Sequence, residues 1–265
     1  MSLSRSLGLM LSVLTAAAVA RAGEVQPVVP SSVPSSVPSP AASGSWLVRH
    51  DQLYAIRDQP TALKELFAIT ETALAKDPND FEARWRLAQA YCWQANGMSD
   101  GSDLKAQIGK HCWDEGEKAF ALRPDDVHGA YWATVGMGLY SEGLGILSAL
   151  SQGIEGKFKN RVQAAIKFDK DYLDGGPTML FGRFWWKLPW PKRDVDESLR
   201  LLRATLETHP KNLRAKVFLA DSLDSDGKGA EAKKLAQEVL DSPLGPDQPD
   251  DRRNQAAAKK WLASH

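Results

Sequence analysis

The chain has 265 residues, 43 % apolar and 25 % charged, the composition of a folded domain rather than of a disordered tail. Its 33 basic and 33 acidic side chains cancel; removing a leader that carries Arg5 and Arg21 leaves 31 against 33. Such a balance gives no footprint of a polyanion-binding protein, so no nucleic-acid partner is expected, and only a local basic patch stays open.

The first 22 residues read as a signal peptide. Arg5 supplies a positive start, Leu7 to Val19 is a short apolar run, and Ala20-Arg21-Ala22 has the small–x–small pattern of a cleavage site. A membrane span needs ~20 apolar residues and this run is shorter. The expectation is cleavage near Ala22 and a soluble exported protein, most simply a periplasmic one; an uncleaved anchor and an organellar transit peptide are the alternatives. Residues 23–45 repeat SSVP and are rich in proline and serine, a stiff linker with nothing to build a core from.

Residues 46–265 read as one all-α domain. Apolar residues recur at spacings of three and four, and no stretch alternates as a strand does. Three related segments follow one another: KDPNDFEARWRLAQAY around Pro78, LRPDDVHGAYWATVGM around Pro124 and THPKNLRAKVFLADSL around Pro210. In each, proline ends one helix because it lacks the amide donor, and an Asp or Asn is placed to cap the next. This is the pattern of a tetratricopeptide repeat. Ala83, Leu87, Ala88 and Tyr91 fit the first helix of a unit, and Cys112, Gly116 and Ala119 the second. Ala215, Leu219, Ala220, Gly227, Ala232 and Ala236 make the cleanest copy. The expected architecture is a tetratricopeptide-like helical-repeat solenoid with a lengthened central hairpin. Trp46 to Arg57 opens it and Asp250 to His265 closes it as capping helices, as a solenoid requires. The extra length after Tyr91 is expected as a loop, NGMSDGSDLKAQIGK, at a hairpin tip.

The long apolar segment from Val127 carries Gly136, Gly138, Gly143 and Gly145, each costing a helix ~1 kcal/mol against alanine. Close packing against another subunit, a groove floor beside a ligand, or a break between two helices would each account for them. Cys92 and Cys112 fall on partner helices of one hairpin, where they are either bridged as a disulfide or two buried thiols.

No chemistry announces itself. The five histidines show no metal-ligand spacing, no phosphate loop follows a strand, and no nucleophile–base set stands out. No enzyme activity, cofactor or metal site is expected. Nine tryptophans point instead to binding surface. Trp93, Trp113 and Trp261 are assigned to the core or caps. Trp85 and Tyr131 share one repeat position, which faces the concave groove in such solenoids. Gln89 and Val135 lie one turn along that face, His128 one turn before Tyr131, and Phe184 falls in the same phase. With Arg183, Gln89 and His128 to orient a polar end, these are the candidate groove residues.

Ala130-Tyr131-Trp132, the glycine-rich helix, Asp174-Gly175-Gly176-Pro177, Phe181-Gly182-Arg183, Leu188-Pro189 and the helix DVDESLRLLRATLETHP together resemble the T-component proteins associated with TRAP transporters. The resemblance spans roughly Ala83 to Leu240. It implies a periplasmic all-helical repeat protein, a homo-oligomer often described as a trimer, docking with a periplasmic solute-binding protein, and a hydrophobic small molecule as ligand. The chain departs from the pattern at Lys192-Arg193-Asp194, where members carry Gly-Gly-Asp, and has no lipid-anchor cysteine. The other expectation is a cell-envelope scaffold that organises protein partners and binds no small molecule.

Overall fold

The computed structural model describes the backbone of residues 40–265 and side chains from Trp46 onward. The leader expected over 1–22, and the linker as far as residue 39, lie outside the described residues. Among those described there are twelve helices and no strand. The first hairpin is α1 (Pro40–Tyr54) and α2 (Pro60–Lys76), so α1 begins ahead of the Trp46 boundary read from sequence. The next is α3 (Phe81–Asn96) and α4 (Asp103–Leu122). The central one is α5 (Val127–Leu144) and α7 (Ile154–Phe168), with a short α6 (Ile146–Ser151) between them. Then come α8 (Tyr172–Lys187) with α9 (Val195–Thr208), α10 (Leu213–Ser225) with α11 (Gly229–Asp241), and the closing α12 (Gln248–Ser264). The chain is an all-α, tetratricopeptide-like solenoid.

The proline joints work as local chemistry demands. The Asp80 carboxylate accepts from the Ala83 amide at 3.1 Å, Asp126 from His128 at 2.8 Å and Asn212 from Ala215 at 2.8 Å. Each satisfies an amide that the first turn of a helix leaves unpaired. The joint before Pro177 is built differently. Leu173, Asp174 and Gly175 are all left-handed, with φ of 49°, 55° and 79°. Such a conformation costs a non-glycine residue about 1–3 kcal/mol. The segment is held by the Asn212 amide, which donates to the Asp174 carbonyl at 2.8 Å, and by His209 Nε2 at 3.0 Å from Asp171. Gly176 follows where a side chain has no room: a Cβ there would stand 2.9 Å from the Tyr131 ring.

The insertion after Tyr91 is mostly helix rather than loop. Only residues 97–102 form the turn, and from Asp103 the extra residues lengthen α4 to 20 residues, with Ser102 capping it. That length lets α4 run the full span of α5. Gly136 and Gly143 of α5 then have an intrachain explanation, neither a second subunit nor a ligand, whereas Gly138 faces away from α4. Gly109 and Gly116 on α4, and Gly129, Gly136 and Gly143 on α5, recur every seventh residue and lie in the α4–α5 seam. A Cβ at Gly136 would come 2.2 Å from the Trp113 amide nitrogen, and one at Gly143 2.2 Å from that of Ala106. The two backbones touch, and the seam tolerates no side chain. Gly145, with φ 92°, makes the turn into α6. Cys92 and Cys112 form a disulfide with their Cα atoms 5.3 Å apart, joining α3 to α4.

The two ends of the solenoid meet through long polar side chains. Arg57, in the turn after α1, pairs with Asp247 at the start of α12 (2.6 Å), and Asp58 pairs with Arg252 (2.7 Å). Arg253 lies 3.3 Å from the Trp93 ring centre and donates to the Trp93 carbonyl at 3.2 Å. The superhelix is thereby closed into a ring.

Candidate functional site

The ring encloses a cavity of about 1350 Å3. Its apolar wall comes from α5 to α8: Val135 and Leu139, then Ile146 and Leu150, then Phe158, then Leu180 and Phe184. Phe184 is stacked on Phe158 with ring centres 4.6 Å apart, so neither ring is free to swing. The opposite side comes from the ends of the chain and is polar: Arg57, Arg214, Asp250 and Arg253.

Four of the candidate groove residues line this cavity and three do not. Tyr131, Val135, Arg183 and Phe184 are in its wall. Arg183 is held by Asp221 at 2.6 Å between the rings of Trp186 and Phe218, 4.1 and 4.5 Å from their centres. Trp85, Gln89 and His128 lie elsewhere. Trp85 is buried, its indole N–H donating to Glu82 at 3.0 Å and the Arg86 guanidinium lying 4.0 Å from its ring centre. His128 packs 4.4 Å from Trp85 and 5.0 Å from Tyr172, its Nδ1 2.6 Å from Asp126. Gln89 is buried on the same helix as Trp85. Repeat phase reads Trp85 and Tyr131 as equivalents, yet only Tyr131 lines the cavity. Helix α2 packs against α3 ahead of this unit, and Trp85 lies in the interior with His128, half-buried, against it.

The sequence reading misses the polar half of the wall. Trp93 and Trp261, assigned to core or cap, are buried yet also line the cavity. Arg57, Arg214, Asp250 and Arg253 are not singled out by it at all. They converge only because the ring closes, bringing together residues up to 196 positions apart in the chain. No local spacing encodes that. The one signal available is the excess of Asp and Arg at the start of the closing helix, PDDRRN, on a segment otherwise needed only as a cap.

Electrostatics separate the two halves further. Arg214 pairs with Asp250, whose other oxygen accepts from Asn254 at 2.8 Å. Burial works to raise the Asp250 carboxyl, but Arg214, Asn254 and Arg57 outweigh it and hold it below the usual carboxylate range. Burial pushes the Tyr131 hydroxyl up to about 12, with Arg214 working against it, so the phenol stays neutral at any physiological pH. The site has charged donors, acids held in ion pairs (Asp221, Asp247 and Asp250) and a large apolar face. Among the described residues no group of His, Cys, Asp and Glu could hold a metal ion. What this arrangement can do chemically is bind an amphipathic molecule, with its apolar part desolvated on one side and a polar end met on the other.

No curated protein matches the chain. Among solved structures, the thermophilic tetratricopeptide-repeat protein TTC0263 of Thermus thermophilus superimposes with a TM-score of 0.60 at 19 % identity, covering 82 % of this chain and 98 % of that one. This likeness agrees with the helical-repeat fold already described. YrrB, a tetratricopeptide-repeat protein with an unusual peptide-binding site, gives 0.43 at 15 % identity, covering 81 % and 90 %. MamA gives 0.43 at 12 % identity, covering 80 % and 95 %. The family described as regulator of microtubule dynamics protein 1-3 matches residues 47–265, the whole helical domain, and the chain belongs to that family.

Proposed function

We propose that this chain is an exported helical-repeat binding protein that holds a small, largely apolar molecule inside its ring and works as an accessory to a protein partner. The observation that carries the reading is the cavity itself. Small-molecule pockets run to ~300–1,000 Å3, and this one is larger, walled on one side by aliphatic and aromatic side chains. The T-component resemblance supports a more specific setting: an accessory of a TRAP-type transport system, docking a periplasmic solute-binding protein and assembling as a trimer. The family's own description concerns microtubule dynamics. The Cys92–Cys112 bridge supports an exported setting for this chain, because disulfides persist in oxidising compartments and are rare in the cytosol. The leader-like first 22 residues support it too.

A second reading has its own observation. Trp190, 89 % exposed, stands on the loop between α8 and α9, and Leu147 on α6 is 73 % exposed. Large apolar side chains offered to solvent suit a scaffold that binds protein partners from its rim and needs no ligand.

The ligand reading is tested with N-phenyl-1-naphthylamine, a neutral apolar fluorophore. Saturable fluorescence enhancement is expected with the purified chain, and its weakening in Val135→Trp, which puts a bulky indole into the apolar wall. No saturable enhancement with the unaltered chain would sink the ligand and leave the scaffold. Affinity capture from the chain's own envelope extract tests the transport setting separately. A solute-binding protein recovered in fixed ratio supports it, and its absence removes it.

A further inference from the structure

Four arginines line the cavity, and three of them have an acid. Arg57 pairs with Asp247 at 2.6 Å, Arg183 with Asp221 at 2.6 Å, and Arg214 with Asp250. Arg253 is different. Its Nη1 donates to the Trp93 carbonyl, its guanidinium lies over the Trp93 ring, and its Nη2 faces Gly97, where the next side chain would otherwise begin. Among the described residues no carboxylate pairs with it.

The surroundings do not make up for that. The Arg253 pKa is lowered to about 10: burial is the largest cause, Arg214 and Arg57 add to it, and Asp250 opposes it. Neutral partners leave this cation short of compensation, so an anion arriving there would meet a guanidinium that no carboxylate already holds, whereas Arg57 and Arg214 each keep one. A guanidinium also presents a planar fork that matches a carboxylate in two parallel hydrogen bonds. Trp93 fixes the plane of that fork from one face, so little side-chain freedom is left to lose on binding. Across the cavity stand Val135, Leu139, Leu150 and Phe158, which offer an anion nothing but would desolvate a hydrocarbon chain.

We infer that Arg253 is the specificity-determining residue of the cavity and that it selects a long-chain monocarboxylate, its head on the guanidinium beside Trp93 and its chain along the apolar wall of α5 to α8. This rests on the cavity being a ligand site, and it goes further by naming the ligand's chemistry and the residue that reads it. A neutral apolar molecule would fill the wall and leave the cation as it is.

The test compares 12-(9-anthroyloxy)stearic acid with its methyl ester, which differ only in head-group charge, and uses N-phenyl-1-naphthylamine as the neutral control. At pH 7 the acid is expected to bind at least tenfold more tightly than the ester. In Arg253→Gln the acid should fall to the ester's affinity, while ester and control are unchanged, which also reports that the cavity has stayed intact. Arg253→Lys, which keeps the charge and loses the fork, should retain part of the preference. Equal binding of acid and ester by the unaltered chain would overturn the inference, as would a preference that survives Arg253→Gln. In either case the control dye would still bind, so the cavity reading would stand without it. If none of the three probes binds, the cavity reading fails and this inference falls with it.

Discussion

The α4–α5 seam and the closure of the ring are held by opposite means. In the seam, two helices approach until backbone meets backbone, through glycines spaced by seven, with one ion pair, Lys105–Glu142, at its end. At the closure, α12 reaches Arg57, Asp58 and Trp93 through guanidinium and carboxylate groups several bonds from the main chain. Contact at van der Waals distance over a whole helix length has one geometry and cannot open by degrees. Contact through long polar side chains can be exchanged for water one pair at a time. A ring that must admit a ligand has its rigid part and its openable part in these two places.

The largest effect is expected from breaking the seam. Gly136→Ala would put a methyl group 2.2–2.9 Å from backbone atoms of Cys112 and Trp113, which cannot rotate away. The helices must separate, and the cost is expected to be about 3 kcal/mol or more, well beyond the ~1 kcal/mol of helix propensity gained. Gly138, two residues on, faces away from the seam, its nearest outside contact an edge of the Phe158 ring at 3.8 Å. Gly138→Ala should therefore stabilise, by up to ~1 kcal/mol. Urea unfolding of the two variants checks the pair. Changes of the same sign would mean that the seam is looser than its backbone geometry implies.

What is legible in the sequence follows the same division. The hairpins are readable because each depends on residues close in sequence: a proline, a capping Asp or Asn, small residues where helices cross. The seam is half readable. The excess glycine in α5 is visible, but its partner is not, because the extra residues of α4 look like a loop; the sevenfold spacing of Gly109 and Gly116 is the signal that matches the two helices. Tyr131, Val135 and Phe184 can be found because repeat phase gives the inner face of a middle unit. Trp85 and His128 are misplaced because phase does not say how many units stand before them. Arg214 and Arg253 cannot be reached at all, since their neighbours are set by the accumulated twist of five hairpins.

An intermediate effect should appear at the N-terminal end, on acidification. His50 on α1 is 1 % exposed and lies against Trp46 and Tyr54; neither ring nitrogen has a well-formed hydrogen bond, and an Asp51 carboxylate oxygen stands 3.5 Å from Nδ1. Its pKa is lowered to about 4: burial is the largest cause, Arg86 adds to the lowering, and Asp51 opposes it. The folded value lies below the unfolded one, so the unfolded chain takes up the proton first. Stability from this group is complete above about pH 6.5 and falls as pH drops to about 4, by about 3 kcal/mol in all. His50→Phe keeps the buried ring and removes the titration, and should flatten unfolding free energy over that window. A slope unchanged by the substitution would place the acid sensitivity elsewhere. The Asp250 carboxyl, held low, then loses its contribution only below about pH 4, within the ordinary carboxylate range.

The smallest effect is expected at the closure, and it sharpens the comparison most. Arg252 and Asp58 are partly exposed, 2.7 Å apart, and exposed ion pairs contribute about 0–1 kcal/mol. Arg252→Ala should barely move the global unfolding transition. Amide hydrogen exchange, which reads local opening as well as global unfolding, should respond differently from region to region. Amides of α12 are expected to exchange faster in the variant, because one of the three contacts that hold it to the opposite end of the ring is gone. Those of α4 and α5 should not change, since nothing in their seam depends on the closure. Equal acceleration in both regions would mean that the ring opens only by unfolding as a whole, and a ligand would then need another way in. Acceleration confined to α12 would make that helix the moving wall of the cavity, with Arg253 carried on it.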